Sequence, residues 1–163
     1  MTAKDLLLAN MDVSLGIFRR YLSDLDDRDL LRRPVPGANH LAWQLGHLIA
    51  SEHRMVELVA PGSMPPLPEG FLRRHDKQAV ACDDPAEFLD KRAYLELWER
   101  QRAGTKEVLA RLPEAELDRP GPEPVRSYAP SVGAVFLVIG SHPLMHAGQV
   151  AVLRRLLGKP IVI

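Results

Sequence analysis

The chain has 163 residues, 46% of them hydrophobic and 26% charged, the proportions of an average globular protein able to bury a core of its own. Basic and acidic residues balance at 21 each, which leaves no electrostatic footprint for nucleic acid or an anionic membrane. The single cysteine, Cys82, excludes an internal disulfide and fits a reducing, cytoplasmic compartment.

No composition shift divides the chain, and residues 1–163 read as one domain. The opening MTAKDLLLANMDVSL carries Asp5 and Asp12 inside an amphipathic pattern, unlike a secretory leader. Leu8, Met11, Leu15, Phe18, Leu22 and Leu25 recur at spacings of three and four, the stripe of a first helix. From Asp24 to Gly37 the pattern breaks into a charged turn ending in RRPVPG, where two prolines halt any helix. A second helix is predicted from Ala38 or Asn39, with the asparagine as N-cap, to the stop at Pro61 and Gly62. Its main apolar stripe is Leu41, Leu45, Leu48, Met55 and Val59, with Glu52 inside it.

Pro61 to about Asp90 is proline-rich and irregular, and a connection this long is functional or wrapped over the surface. A third helix is predicted from Pro85 or Asp90 to Leu112, with Tyr94, Trp98, Val108 and Leu112 on one side. The loop PEAELDRPGPEPVRSYAP then leads to Ser131, the N-cap expected for a last helix that runs to Leu157 before Gly158 and Pro160. The longest apolar run, Val132 to Gly140, is about half of what a bilayer span requires, so no membrane association is expected. Four long helices without strand alternation give an all-α four-helix bundle, and the two long connections argue against simple up-down-up-down order.

The last helix carries the chemistry. Its seam, counted in alternating steps of four and three, reads Val135, Ile139, His142, His146, Gln149, Leu153 and Leu156. Two imidazoles on an interior face need partners, since an unpaired buried polar group costs a few kcal/mol. A divalent metal supplies one partner for both, because side chains at i and i+4 of a helix converge. Pro143 lacks the N–H for the Ile139 carbonyl and is expected to kink the helix. The order HPLMH lacks the glutamate of a metalloprotease motif.

A third ligand would come from His40, His47, His53 or His75. On a helical wheel His47 lies away from the largest stripe of its helix, which favours an exposed or partly packed side chain; it faces inward only if that helix is buried on two faces. Glu52, a carboxylate in a core seam, calls for an arginine or a ligand histidine as partner. Gln149 would orient a ligand from behind or act as a satisfied core amide.

The segment NHLAWQLGHLIASEHR resembles the second-helix motif of the DinB-like (DinB/YfiT) superfamily, and SHPLMHAGQVAVLRRLLGKP resembles its last-helix signature, H-x-x-x-H-x-G-Q followed by L-R-R-x-L-G. The resemblance spans essentially the whole length, with Pro143 as the departure. It implies an up-down-down-up four-helix bundle, often a homodimer, with a three-histidine metal site at His47, His142 and His146. Zinc is the expected ion, with nickel as an alternative occupant. Relatives of this type include thiol transferases and isomerases that use bacillithiol, mycothiol or glutathione.

Three neutral imidazoles leave coordination open, which suits a catalytic site in which a bound thiol or water is activated. With the resemblance, this implies a transferase or isomerase using a low-molecular-weight thiol. The alternatives are a metal-dependent hydrolase and a non-enzymatic dimeric bundle that binds metal or a small ligand. Arg126, Tyr128 and the Arg154–Arg155 pair are candidates for holding an anionic thiol or substrate, against a solvated surface role. Metal affinity is expected to fall below about pH 6, where unperturbed histidines protonate.

Overall fold

The computed structural model describes residues 1–162. Six helices, α1 (Ala3–Leu22), α2 (Asp27–Leu30), α3 (Leu41–Val59), α4 (Phe71–Arg74), α5 (Lys91–Arg111) and α6 (Val132–Leu156), are joined by loops that hold two short 3₁₀ turns, and no strand occurs among the described residues. Four of these helices are long. Their ends follow capping chemistry. Thr2 and Asp5 form a capping box on α1, Asp90 caps α5, and Ser131 caps α6 by accepting from the Ala134 amide. Gly158 takes φ 68° just past α6, the left-handed stop expected of a glycine there.

At the start of α3 the expected Asn39 cap is replaced. His40 is the N-cap, its Nδ1 accepting from the Trp43 amide at 3.1 Å. Asn39 instead offers its carbonyl to Gln44 Nε2 at 2.8 Å.

Pairs of residues set the helix directions. Asn10 reaches Leu137 and Ser141, while Arg154 bonds the Tyr21 carbonyl, so α1 and α6 run the same way. Lys4 bonds the Ala110 carbonyl and Lys91 the Leu22 carbonyl, so α1 and α5 run oppositely. His146 meets Gln44, while Met55 and Val138 face one cavity, so α3 and α6 also run oppositely.

The apolar core falls into two clusters. One gathers Phe18, Leu45, Ile49, Trp98 and Val150; the other gathers Met11, Met55, Val56, Leu109 and Phe136. Between them lies a belt of buried polar side chains from all four long helices: Ser14, Glu52, Gln101, Arg102, Thr105 and His146.

Helix α6 is long and apolar enough to span a bilayer, with mean hydropathy 1.3, but half of that stretch is buried inside the protein. Its buried face departs from the seam counted in sequence. Gln149 and Leu156 are exposed, while Ala147, Val150, Ala151 and Arg154 are buried. A seam of period 3.5 drifts about 20° per heptad from a straight helix, and this helix follows 3.6. It continues unbroken through Pro143.

The irregular segment between α3 and α5 is fastened to α3. Trp43 Nε1 donates to the Asp76 carbonyl at 3.1 Å, and His40 Nε2 donates to the Cys82 carbonyl at 2.9 Å. Gly46 is required here: a Cβ at that position would overlap the His75 ring.

Candidate metal centre

One end of the polar belt, His146, faces α3. There His47, His142 and His146 each present a ring nitrogen, and these three atoms lie within 4.8 Å of one another. His146 is buried and the other two are half-buried. The Nε2 atoms of His142 and His146 are 3.2 Å apart. Two imidazole nitrogens bound tetrahedrally to zinc at 2.0–2.1 Å would sit about 3.3 Å apart, so the spacing fits one shared divalent ion. The departure at Pro143 leaves the two rings converging.

Helix α3 is buried on two faces around His47, from Leu41 to Gly46 and again from Leu48 to Ala50. That is the condition under which His47 turns inward. Trp43, one turn earlier, stacks on the His47 ring at 4.8 Å and 10°. The His47 ring lies 5.2 Å from that of His142 and 5.5 Å from that of His146.

Gln44 sets the remaining ligand. Its amide donates to the Asn39 carbonyl, which turns Oε1 toward His146 Nδ1, 3.0 Å away. His146 therefore carries its proton on Nδ1 and keeps the Nε2 lone pair for a cation, the arrangement by which second partners fix metal-bound histidines. Sequence reasoning weighed Gln149 for this role or as a core amide, and missed Gln44; Gln149 is exposed, and its side-chain hydrogen bond to His146 opposes the lowering of that histidine's pKa. The signal was present: Gln44 interrupts an apolar run three residues before His47, on the inward arc of α3.

The other histidines have structural duties. His40 caps α3 as described. His75 donates from Nδ1 to the Phe71 carbonyl and accepts from the Tyr94 hydroxyl, each at 2.8 Å. His53 Nδ1 donates to Gln101 Oε1 at 3.0 Å, and Gln101 Nε2 donates on to the Pro65 carbonyl.

Glu52 does not touch the histidines. Thr105 donates to its Oε1 at 2.6 Å, and Trp98 Nε1 to its Oε2 at 3.1 Å. Arg102 Nη2 stands 3.0 Å from Oε2, both side chains being only 3% exposed. That approach lies off the N–H axes, since Arg102 makes no aligned hydrogen bond among the described residues. Burial pushes the Glu52 carboxyl above its usual range, against the opposite pull of Arg102, Thr105 and Trp98. Of the two partners expected for this carboxylate, the arginine is the one found.

Electrostatics corrects the expectation of ordinary histidines. Burial, then repulsion from His142 and Arg54, brings the His47 pKa down to about 4. Burial, then repulsion from His142 and His47, brings His146 to about 3, with Gln149 opposing weakly. Burial also lowers His142. His47 and His146 are neutral, ligand-competent imidazoles at pH 6 and His142 is shifted in the same direction, so proton competition for a cation is displaced to more acidic solution than an isolated histidine would give.

A comparison with family models covers this part of the chain. A model of the DinB superfamily matches residues 11–150, which include all three histidines and Gln44. The chain belongs to the DinB superfamily. A crystal structure described as a conserved protein from Enterococcus faecalis is similar to this DinB-superfamily chain at TM-score 0.69 and 18% identity, covering 98% of this chain and 99% of that one; at such identity the likeness concerns the fold. A comparison with curated proteins found no match.

Beside the three histidines of this DinB-superfamily fold lies a cavity of about 600 Å³, lined by His47 and His142 and with Tyr128 among its walls. The loop from Pro122 to Ala129 forms one side. It is pinned at its base where the Gly121 amide donates to the Pro130 carbonyl at 2.9 Å, an approach that a Cβ on Gly121 would block against the Ala129 carbonyl. Of the anion-holding candidates, Tyr128 alone reaches the cavity. Arg126 bonds the Gly121 carbonyl and Glu123, Arg154 is buried in bonds to Tyr21, Asp24 and Pro160, and Arg155 is exposed beyond the site. Arg54, which sequence reasoning passed over, lines the cavity instead.

Proposed function

We propose that this chain is a metal-dependent enzyme in which His47, His142 and His146 hold one divalent cation, zinc before nickel, and which acts as a transferase or isomerase with a low-molecular-weight thiol. The observation that carries the reading is the convergence of three ring nitrogens within 4.8 Å, two of them on histidines that line an open cavity. When bound, the cation supplies a Lewis acid that lowers the pKa of a thiol beside it. The chain's own residues orient and protect: Gln44 holds the His146 tautomer, Trp43 braces His47, and the apolar wall excludes water.

A hydrolase with the same ligands is the second reading. Hydrolysis gains from a carboxylate that manages protons, and none lines the cavity. A thiol needs only a lowered pKa, so the thiol reading is preferred.

Three finer expectations belong here. The crossing directions of α1 with α5 and α6, and of α3 with α6, support an up-down-down-up bundle. Exposed Leu6 and Leu137 line one surface depression across α1 and α6, which supports a homodimer. Cys82 is a free thiol, which supports a reducing cytoplasm.

Elemental analysis of untagged protein, followed by thiol-dependent alkylation assays with a model electrophile, tests the reading. One equivalent of zinc per chain and turnover that requires added thiol are expected. Metal-free protein that takes up no zinc from solution would sink it.

A further inference from the structure

The cavity beside the histidines is lopsided in its chemistry. Met55, Leu58, Val125, Val138 and Met145 make most of its wall. Its lining holds one permanent cation, Arg54, and no carboxylate. Arg54 lies two turns beyond His47 on α3, on the same helix face as Ser51 and Leu58. It is exposed at the rim and makes a single long hydrogen bond, Nη2 to the Leu72 carbonyl at 3.4 Å. Among the described residues no carboxylate pairs with it. Most of its N–H fork is therefore free, and that fork matches a carboxylate. The Tyr128 hydroxyl lines the same cavity as a second donor.

An apolar wall with one cation and no anion selects against sugars and nucleotides, which need many polar partners, and against organic cations. We propose that the cavity takes an amphipathic monocarboxylate, its carboxylate on Arg54 at the rim and its hydrocarbon part along Met55, Leu58 and Val138 toward His47 and His142. The proposal rests on the functional reading above in assigning this anion as the partner substrate of the metal site. The Arg54 subsite itself is defined by side chains that bind no metal.

The test uses two probes of matched shape, 4-phenylbutyrate and neutral 4-phenylbutan-1-ol, titrated calorimetrically into zinc-free and zinc-loaded protein. In zinc-free wild type the acid should bind about ten-fold more tightly than the alcohol, the worth of one charge-assisted pair at a partly exposed site. Arg54→Gln should remove that preference while leaving the alcohol's affinity within about two-fold, and Arg54→Lys should restore part of it. An acid preference unchanged in Arg54→Gln, or no binding of either probe to wild type, overturns the proposal. Acid preference that appears only with zinc, whatever stands at position 54, also overturns it while leaving the metal reading intact. Protein that takes up no zinc yet shows the Arg54-dependent preference keeps the anion subsite and removes the metal reading.

Discussion

Gln44 of α3 accepts a hydrogen bond from Nδ1 of His146 on α6 at 3.0 Å, and its own amide is held by the Asn39 carbonyl. The orientation of a candidate ligand on the last helix is thus set by the first turn of another. Gln44→Leu keeps the volume and removes the acceptor. Zinc affinity measured by competition with a chromophoric chelator should fall by about 10- to 100-fold, the usual effect of losing a ligand's orienting partner. Equal affinity in the variant and wild type would show that His146 needs no such support.

His146→Ala should abolish stoichiometric zinc binding in purified protein. Far-UV circular dichroism should stay close to wild type, because the site lies in the polar belt and the two apolar clusters remain whole. Undiminished zinc content in this variant would remove His146 from the ligand set.

Stability should fall in mild acid. Burial lowers the His75 pKa from 6.5 to about 4, so below pH 6.5 the unfolded chain binds a proton that the folded chain refuses. Stability is then complete above about pH 7 and is lost as pH drops through 6.5 toward 4. For His75 alone the loss is roughly 2 kcal/mol by pH 5. His47 and His146 add to it with the same sign in zinc-free protein. Urea unfolding of zinc-free protein at pH 7 and pH 5 measures this, and coincident midpoints would contradict it.

Gly46→Ala should be costly although alanine is the better helix former. The added methyl would overlap the fully buried His75 ring, which is fastened by Phe71 and Tyr94 and has nowhere to move. Destabilisation of about 1–3 kcal/mol, read from the thermal midpoint, is expected in place of the usual stabilising few tenths to 1 kcal/mol.

Breaking the Glu52–Arg102 pair from one side should cost more than removing both charges. Arg102→Met leaves a buried carboxylate with only neutral donors, a loss of about 3–5 kcal/mol, while adding Glu52→Gln should recover part of it. A double variant less stable than either single change would mean that the pair contributes more than mutual neutralisation.

Helix boundaries and the HxxxH pair were legible because apolar spacing and caps such as Ser131, Asp90 and Gly158 are local signals. Residues whose role depends on a partner far along the chain were not. Gln149 read as interior because a seven-residue seam was extended past the point where a straight helix rotates away from it. Gln44 was overlooked because its partners, Asn39 and His146, are brought together only when α3 crosses α6. The family motif located His47 where a helical wheel did not, since a wheel registers one apolar stripe and α3 is covered on two sides. Arg54 was not weighed as a binding residue because the Pro124, Val125 and Tyr128 side chains that line the cavity with it lie far along the chain.

Gln44 and His146 stand 102 positions apart in the chain, and the intervening residues include the whole of α5 and both long connections. A cation shared between α3 and α6 therefore closes a ring of peptide far larger than any local motif. Its grip would be available only after α3 and α6 have found each other, so occupancy would double as a sensor of completed assembly, and free zinc would become a knob on the unfolding temperature of the entire molecule.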